Sequence, residues 1–260
     1  MTPQELSKTT YGLIGRPLGH SKSKAFFTAL FAENHSRESY DNFELQALTP
    51  EALYSLVLIN PCLRGFNVTA PYKEEIMPYL DSVDTNAAHV GAVNTVKIER
   101  DSTGRVTALR GFNTDVEGFR ESVRPMVEKA AAKGALVLGT GGASKAVVEA
   151  LTQLGVDVIR VSRSKNSDRI ITYGGISADL VKTHPLIINA TPIGTFPAVG
   201  NCPPFPYELL DESNLCHDLV YNPAETEFMK RCSARGAEVK NGLEMLHRQA
   251  LASLELWRRK

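Results

Sequence analysis

Several protein classes are excluded by what this chain lacks. No run of eighteen apolar residues occurs among its 260 residues, so no membrane-spanning helix is expected. Neither sign of charge is in excess. The 29 lysines and arginines balance 29 aspartates and glutamates, which leaves no broad surface for nucleic acid or anionic lipid. The closing Arg258-Arg259-Lys260 is too short to change this and suits a helix C-terminus, where cations meet the negative end of the dipole. Cysteine is scarce. Cys62, Cys202, Cys216 and Cys232 form no C-x-x-C pair and have no histidine at zinc-finger spacing, so four free thiols in a reducing compartment are expected and no metal. The opening MTPQELSKTT has no charged segment followed by an apolar one. No secretory leader is therefore expected, and the cytoplasm is the expected location. There is no internal repeat and no low-complexity tract.

What is present is ordinary globular material, 43% hydrophobic and 22% charged, enough for one large domain or two modest ones. Tyr11–Gly15 reads as a buried strand running into a turn-rich loop, Arg16 to Ser23, and a helix through Phe31. Tyr40–Leu45 alternates as a strand, Pro50–Asn60 is helical, and Gly65–Thr69 is a strand leading to a helix over Pro71–Leu80. Gly91–Ile98 reads as a strand, with Val106–Gly111 returning beside it as a hairpin. A long helical pattern then runs from Val116 to Lys133, and its start, Thr114-Asp115-Val116-Glu117, fits a capping box. Ala135–Leu138, a glycine loop, a helix over Lys145–Leu154 and a strand over Val156–Val161 form a βαβ unit, which implies a parallel sheet. Leu186–Asn189 and Cys216–Val220 are further strands. Thr191–Pro206 carries five prolines and is a loop. Helices follow over Glu225–Gly236 and from Gly242 to the end.

The expected fold is therefore α/β in two blocks. Residues 1–112 form the first and residues 113–241 the second, with the last helix, about 242–260 and carrying Trp257, free to pack on either. Active sites commonly lie between two such blocks.

Gly139-x-Gly141-x-x-Ser144 is close to the dinucleotide fingerprint, with a small serine at the third glycine position. Gly139 permits a tight turn, Gly141 lets backbone approach a pyrophosphate, and the following helix start offers free N–H groups. The pattern is weak alone; here it has a strand before it and a helix after it. An NAD site would place a carboxylate at the end of the second strand to hold the ribose hydroxyls. This chain has Ser162-Arg163-Ser164-Lys165 instead, and Arg163 suits a 2′-phosphate. NADP is the expected cofactor.

Four polar clusters end strands of the first block or open the second: Ser21/Ser23, Thr69 with Lys73, Asn94/Thr95 and Asn113/Thr114/Asp115. In an open α/β sheet, ligands bind beyond the carboxyl ends of the strands. Each cluster has a plainer reading. Ser23 could cap a helix, Asn94 could sit in a turn, and Asp115 could face a helix dipole. Lys73 could be an exposed charge at a small cost. It nevertheless lies in the first turn of a predicted helix, where the dipole disfavours its ammonium and would ready it to give up a proton.

Together these segments resemble the shikimate dehydrogenases over nearly the whole chain. The likeness is carried by Gly15-Arg16-Pro17-Leu18-Gly19-His20-Ser21-Lys22-Ser23, by Gly65-Phe66-Asn67-Val68-Thr69-Ala70-Pro71-Tyr72-Lys73 and by Gly91-Ala92-Val93-Asn94-Thr95. It continues through Gly111-Phe112-Asn113-Thr114-Asp115-Val116-Glu117-Gly118, the glycine loop and Asn189-Ala190-Thr191. Asp218-Leu219-Val220-Tyr221-Asn222-Pro223 and Asn241-Gly242-Leu243, leading to Gln249, complete it.

The resemblance implies a substrate domain and an NADP-binding Rossmann domain, with the C-terminal helix returning to the first. It implies reversible reduction of 3-dehydroshikimate to shikimate by NADPH, on the route to chorismate and the aromatic amino acids. Lys73 and Asp115 would be the catalytic pair. Ser21, Ser23, Thr69, Asn94, Tyr221 and Gln249 would hold the substrate. Gly139, Gly141, Gly142 and Ala143 would meet the pyrophosphate, Ser162, Arg163 and Ser164 the adenosine end, and Thr191 and Gly242 would lie near the cofactor. Two positions depart from the pattern: Lys24 replaces a proline and Ser162 an asparagine. The partner is a small molecule, and either a monomer or a homodimer is compatible. The rivals are a quinate/shikimate dehydrogenase using NAD or NADP, a non-catalytic nucleotide sensor of the same fold, and another two-domain Rossmann dehydrogenase such as one acting on tetrahydrofolate. The intact Lys73 and Asp115 argue against the sensor.

Overall fold

A computed structural model describes residues 9–19, 21–130, 132–164 and 167–259. His20, Lys165 and Lys260, named above, lie outside these residues, as do the first eight. The chain divides into two compact units, Met1–Thr114 with Ala250–Lys260, and Asp115–Gln249. Each is built around its own six-stranded sheet.

In the first unit the strands are β1 (Thr10–Gly15), β2 (Ser39–Glu44), β3 (Leu63–Val68), β4 (Ser82–Val83), β5 (Thr95–Arg100) and β6 (Val106–Phe112), in the order β2-β1-β3-β5-β6-β4. β1 pairs in parallel with β2 and β3, while β5 runs antiparallel to both β3 and β6. The two-residue period of the strands divides the core between two faces. Tyr11 and Leu13 point to one face, with Phe27 and Phe31 of α1 (Ser23–Glu33) and Leu254 and Trp257 of the C-terminal helix. Ile14, Phe66 and Val68 point to the other, with Leu53 and Val57 of α2 (Pro50–Ile59).

Gly65 shows why a glycine interrupts β3. A Cβ built there would lie 2.2 Å from the Trp257 ring, so only glycine admits the indole. The ring stacks on Tyr11 at 4.6 Å and donates its N–H to the Val96 carbonyl at 2.9 Å. The end of the last helix, α9 (Leu243–Arg258), thus belongs to the first unit, as the family resemblance implied.

The second unit contains β7 (Gly134–Leu138), β8 (Asp157–Ser162), β9 (Ile170–Thr172), β10 (Leu186–Asn189), β11 (Leu215–Asp218) and β12 (Glu238–Lys240), ordered β12-β11-β10-β7-β8-β9. Every pairing is parallel. This is the doubly wound Rossmann order, whose direction of winding reverses between β7 and β10, where such folds bind ligands.

Local structure departs from expectation in several places. Gly91–Asn94 is not strand. Asp84 caps a six-residue helix, α4 (Thr85–Val90), and Gly91 ends it at φ +67°, so β5 starts only at Thr95. The helix expected over Pro71–Leu80 shrinks to one turn, α3 (Tyr72–Glu75), followed by a 3-10 turn at Met77–Tyr79, and Pro71 stands before it rather than inside it. The helix after the glycine loop, α6 (Gly142–Gln153), begins three residues earlier than expected. The short β9, β12 and α7 (Ala178–Thr183) carry too few residues to show a period.

Candidate active site

The loops at the carboxyl ends of β1 and β3 are stitched together. Thr69 N–H donates to the Ile14 carbonyl at 2.9 Å, and Arg16 N–H to the Ala70 carbonyl at 3.1 Å. Gly15 permits this approach, because a Cβ there would meet the Thr69 methyl at 2.3 Å. Ser21 therefore sits on a loop fastened to the strand end that bears Thr69. The Ser21 hydroxyl accepts the Ser23 N–H at 3.3 Å, and Lys22 rather than Ser23 occupies the cap position of α1. Lys24, at the first departure from the family pattern, lies on the first turn of α1 and pairs with Asp41 at 3.0 Å.

Lys73 lies in the single turn of α3, half-buried. So short a helix stacks few peptide dipoles, and the strong N-terminal field expected of a ten-residue helix is absent. Its placement comes from the backbone instead. The Lys73 carbonyl accepts Val93 N–H at 2.8 Å, while Val68 N–H donates to the Asn94 carbonyl at 2.8 Å. Thr69, Lys73 and Asn94 thereby share one end of the sheet.

A buried network of amides and hydroxyls lies behind them. Asn94 Oδ1 accepts the Thr114 N–H at 2.7 Å, and its Nδ2 donates to Thr114 Oγ1 at 3.0 Å. The Thr114 hydroxyl is thus turned to Asn94, Thr95 and Ser253, and not into a capping box. Asn67 Nδ2 reaches Thr95 Oγ1 at 3.0 Å and Ser253 Oγ at 2.9 Å, and its Oδ1 accepts the Tyr40 hydroxyl at 2.8 Å. Ser253, on α9, had no sequence signal, since one serine on a helix reads as a neutral surface choice. Asp115 follows Thr114 and opens the second unit's share of α5 (Thr114–Ala130).

In the second unit the glycine loop leaves β7 at the winding reversal. Gly139 has φ +114°, and a Cβ on it would lie 3.0 Å from the Thr191 methyl. Gly141 and Gly142 have no atom within 4 Å of such a Cβ, so backbone faces open space where α6 begins. Ala143 is exposed beside them. Ser144 is buried, and its hydroxyl closes the turn on the Gly139 carbonyl at 2.7 Å. Ser162 ends β8, the strand next to β7, and Arg163 and Ser164 follow it exposed. Thr191 follows β10. Gly242 lies against the backbone after β11, where a Cβ would sit 2.1 Å from the Leu219 carbonyl oxygen. Tyr221 is half-buried, which pushes its hydroxyl above the usual phenol range. Gln249 packs on Gly118, one helical turn beyond Asp115.

A glycine turn opening onto a helix start, at the reversal point of a parallel sheet, defines the class: an α/β dinucleotide-binding protein. The family model described as the shikimate dehydrogenase substrate binding domain matches residues 13–96. A shikimate dehydrogenase (NADP(+)) from Caldanaerobacter subterraneus subsp. tengcongensis is 36% identical, the match covering 95% of this chain and 90% of that protein. The crystal structure of the Thermus thermophilus shikimate 5-dehydrogenase, in complex with NADP(H) and shikimate, superposes with a TM-score of 0.79 at 32% identity, covering 96% and 93% of the two chains. Quinate dehydrogenase from Corynebacterium glutamicum, in complex with NAD, gives a TM-score of 0.84 at 27% identity, covering 96% and 94%. The chain belongs to the shikimate dehydrogenase family.

Proposed function

We propose that this chain is an NADP-dependent shikimate dehydrogenase, an oxidoreductase that reversibly reduces 3-dehydroshikimate to shikimate on the route to chorismate and the aromatic amino acids. The observation that carries the reading is the 36% identity to an NADP(+)-dependent shikimate dehydrogenase along 95% of the chain.

The residues present fit the cofactor. The opening at Gly141 and Gly142 leaves room for a pyrophosphate against backbone N–H groups, and Ala143 extends it along the first turn of α6. Arg163, with Ser162 and Ser164, stands at the end of β8 where an NAD site would carry an acid, and would hold a 2′-phosphate. Thr191 and Gly242 would lie near the cofactor. When bound, NADPH supplies the hydride.

The chain's own groups handle the proton. A ketone under reduction gathers negative charge on its oxygen, and Lys73 would donate from Nζ as the alkoxide forms. In the oxidative direction the neutral amine would take the hydroxyl proton back. Asp115 would be the second member of the catalytic pair, orienting that exchange. Ser21, Ser23, Thr69, Asn94, Tyr221 and Gln249 would hold the substrate's carboxylate and hydroxyls. Residues 1–112 with about 242–260 would form the substrate-binding catalytic domain, and 113–241 the NADP-binding domain. Among the described residues no helix is long and apolar enough to cross a membrane. The reading places the protein in the cytoplasm, as a monomer or homodimer without nucleic-acid partners.

The test is a spectrophotometric assay with shikimate and quinate, each with NADP and NAD. Rapid reduction with shikimate and NADP alone is expected. Equal rates with quinate or NAD would move the assignment towards the quinate dehydrogenase neighbour. A folded, nucleotide-binding protein inactive with all four combinations would overturn it.

A further inference from the structure

A buried carboxylate outside the proposed catalytic set lies one strand from the glycine loop's sheet neighbour. Asp218 ends β11 and is fully buried. It accepts three hydrogen bonds: from Thr226 Oγ1 at 2.6 Å, Asn189 Nδ2 at 2.9 Å and Val220 N–H at 3.0 Å. Even so, burial pushes its carboxyl up to about 6. At neutral pH its charge is therefore held at a cost to folding, and an apolar core residue would serve stability as well or better.

The consequence of that charge is directional. An asparagine amide can be turned end for end with little change of shape. Nδ2 of Asn189 donates to the carboxylate at 2.9 Å and to the Ile193 carbonyl at 3.3 Å, so its Oδ1 faces Thr191. There it accepts the Thr191 N–H at 3.1 Å and the Thr191 hydroxyl at 2.6 Å. The Thr191 proton is thereby committed inward. Its oxygen keeps lone pairs for other donors, one of which is Ile193 N–H at 3.3 Å. The same residue rests its methyl where a Gly139 Cβ would come within 3.0 Å.

We propose that Asp218 is a positioning residue for the cofactor site, fixing the amide of Asn189 and through it the hydroxyl polarity and placement of Thr191 beside the glycine turn. The proposal rests on the reading that Thr191 borders the cofactor.

Its test is calorimetric titration of NADP into the apoprotein, with shikimate KM and the thermal midpoint as companions. Asp218→Ala is expected to weaken NADP binding about tenfold, roughly one hydrogen bond's worth, with shikimate KM little changed. Asp218→Asn, which can still present an oxygen to Asn189, is expected to recover most of the affinity. Thr191→Val should weaken NADP binding similarly, and the Asp218→Ala/Thr191→Val pair should be no weaker than Thr191→Val alone. Should Asp218→Ala not fold, Asn189→Ala removes the middle of the relay while leaving Asp218 paired to Thr226, and the same tenfold loss is expected. Wild-type affinity in Asp218→Ala or Asn189→Ala, with Thr191→Val impaired, would overturn the relay alone. Wild-type affinity in Thr191→Val would overturn the placement of Thr191 and the relay with it.

Discussion

Behind the strand ends of the first unit a network of buried amides and hydroxyls joins Tyr40, Asn67, Asn94, Thr95, Thr114 and Ser253. Behind those of the second unit stands a carboxylate, Asp218, with Asn189, Thr191 and Thr226 around it. Both arrangements fix side chains at one end of a sheet, but by different physics. In the neutral network several hydroxyls can exchange donor and acceptor roles, so rigidity comes from the number of bonds. In the relay, a charge helps to turn one amide, whose oxygen then takes the Thr191 hydroxyl proton. The neutral network should be indifferent to pH, and the second unit should not be.

The largest effect expected belongs to the first unit. Lys73→Ala should lower turnover by about 10²- to 10⁴-fold, the usual share of a general acid, while NADP binding and shikimate KM stay near wild type. Steady-state kinetics with a calorimetric titration check it, and near-normal turnover would remove Lys73 from the chemistry.

Next comes His217, on β11. It is fully buried, edge-on to Phe119 at 5.3 Å, and neither ring nitrogen has a protein partner among the described residues. Burial first, then the Lys240 ammonium, pushes its imidazolium down to about 3, while Glu244 opposes. The unfolded chain therefore binds a proton below about pH 6.5 that the folded chain refuses, so stability falls as pH drops through that window. His217→Phe should abolish that part of the fall, about 2–3 kcal/mol between pH 7 and pH 4.5. Urea titrations followed by circular dichroism at the two pH values measure it, and a variant as acid-sensitive as wild type would refute the assignment.

Arg163→Gln should weaken NADP by about 10- to 100-fold, the scale of lost charge-assisted hydrogen bonds, and leave NAD and shikimate nearly untouched. Comparable losses for both nucleotides would place the 2′-phosphate elsewhere. Ser253→Ala should have the smallest effect, about 1 kcal/mol of stability. That loss should be equal at pH 5 and pH 8, as a network of amides and hydroxyls requires. A pH-dependent loss would blur the contrast between the units.

Legibility in the sequence followed element length and locality. The apolar runs of β1 and β7 and the glycine turn show in a few adjacent residues, because their cause is local. So does the hairpin of β5 and β6. Helix α4 was readable in principle, since Asp84 and Gly91 bracket it as cap and stop, but Gly91-Ala92-Val93 mimics the start of a strand. The capping box at Thr114 failed for a tertiary reason: the hydroxyl finds better partners in Asn94 and Ser253, the latter 139 positions away. The polar residues carrying the resemblance were all visible, yet nothing adjacent to Asp218 or Ser253 says what those side chains touch. Distances of that kind enter only with the fold.

The fit of Trp257 against Gly65 has a practical consequence. It is the only tryptophan in the chain, and it is buried in the core of the first unit, stacked on Tyr11. Intrinsic fluorescence is therefore a reporter for one unit and nearly blind to the other. Set beside circular dichroism, which sees both, it turns an ordinary denaturation curve into two. A single coincident transition would mean the units melt together, and a displaced one would give each its own stability without any label being added.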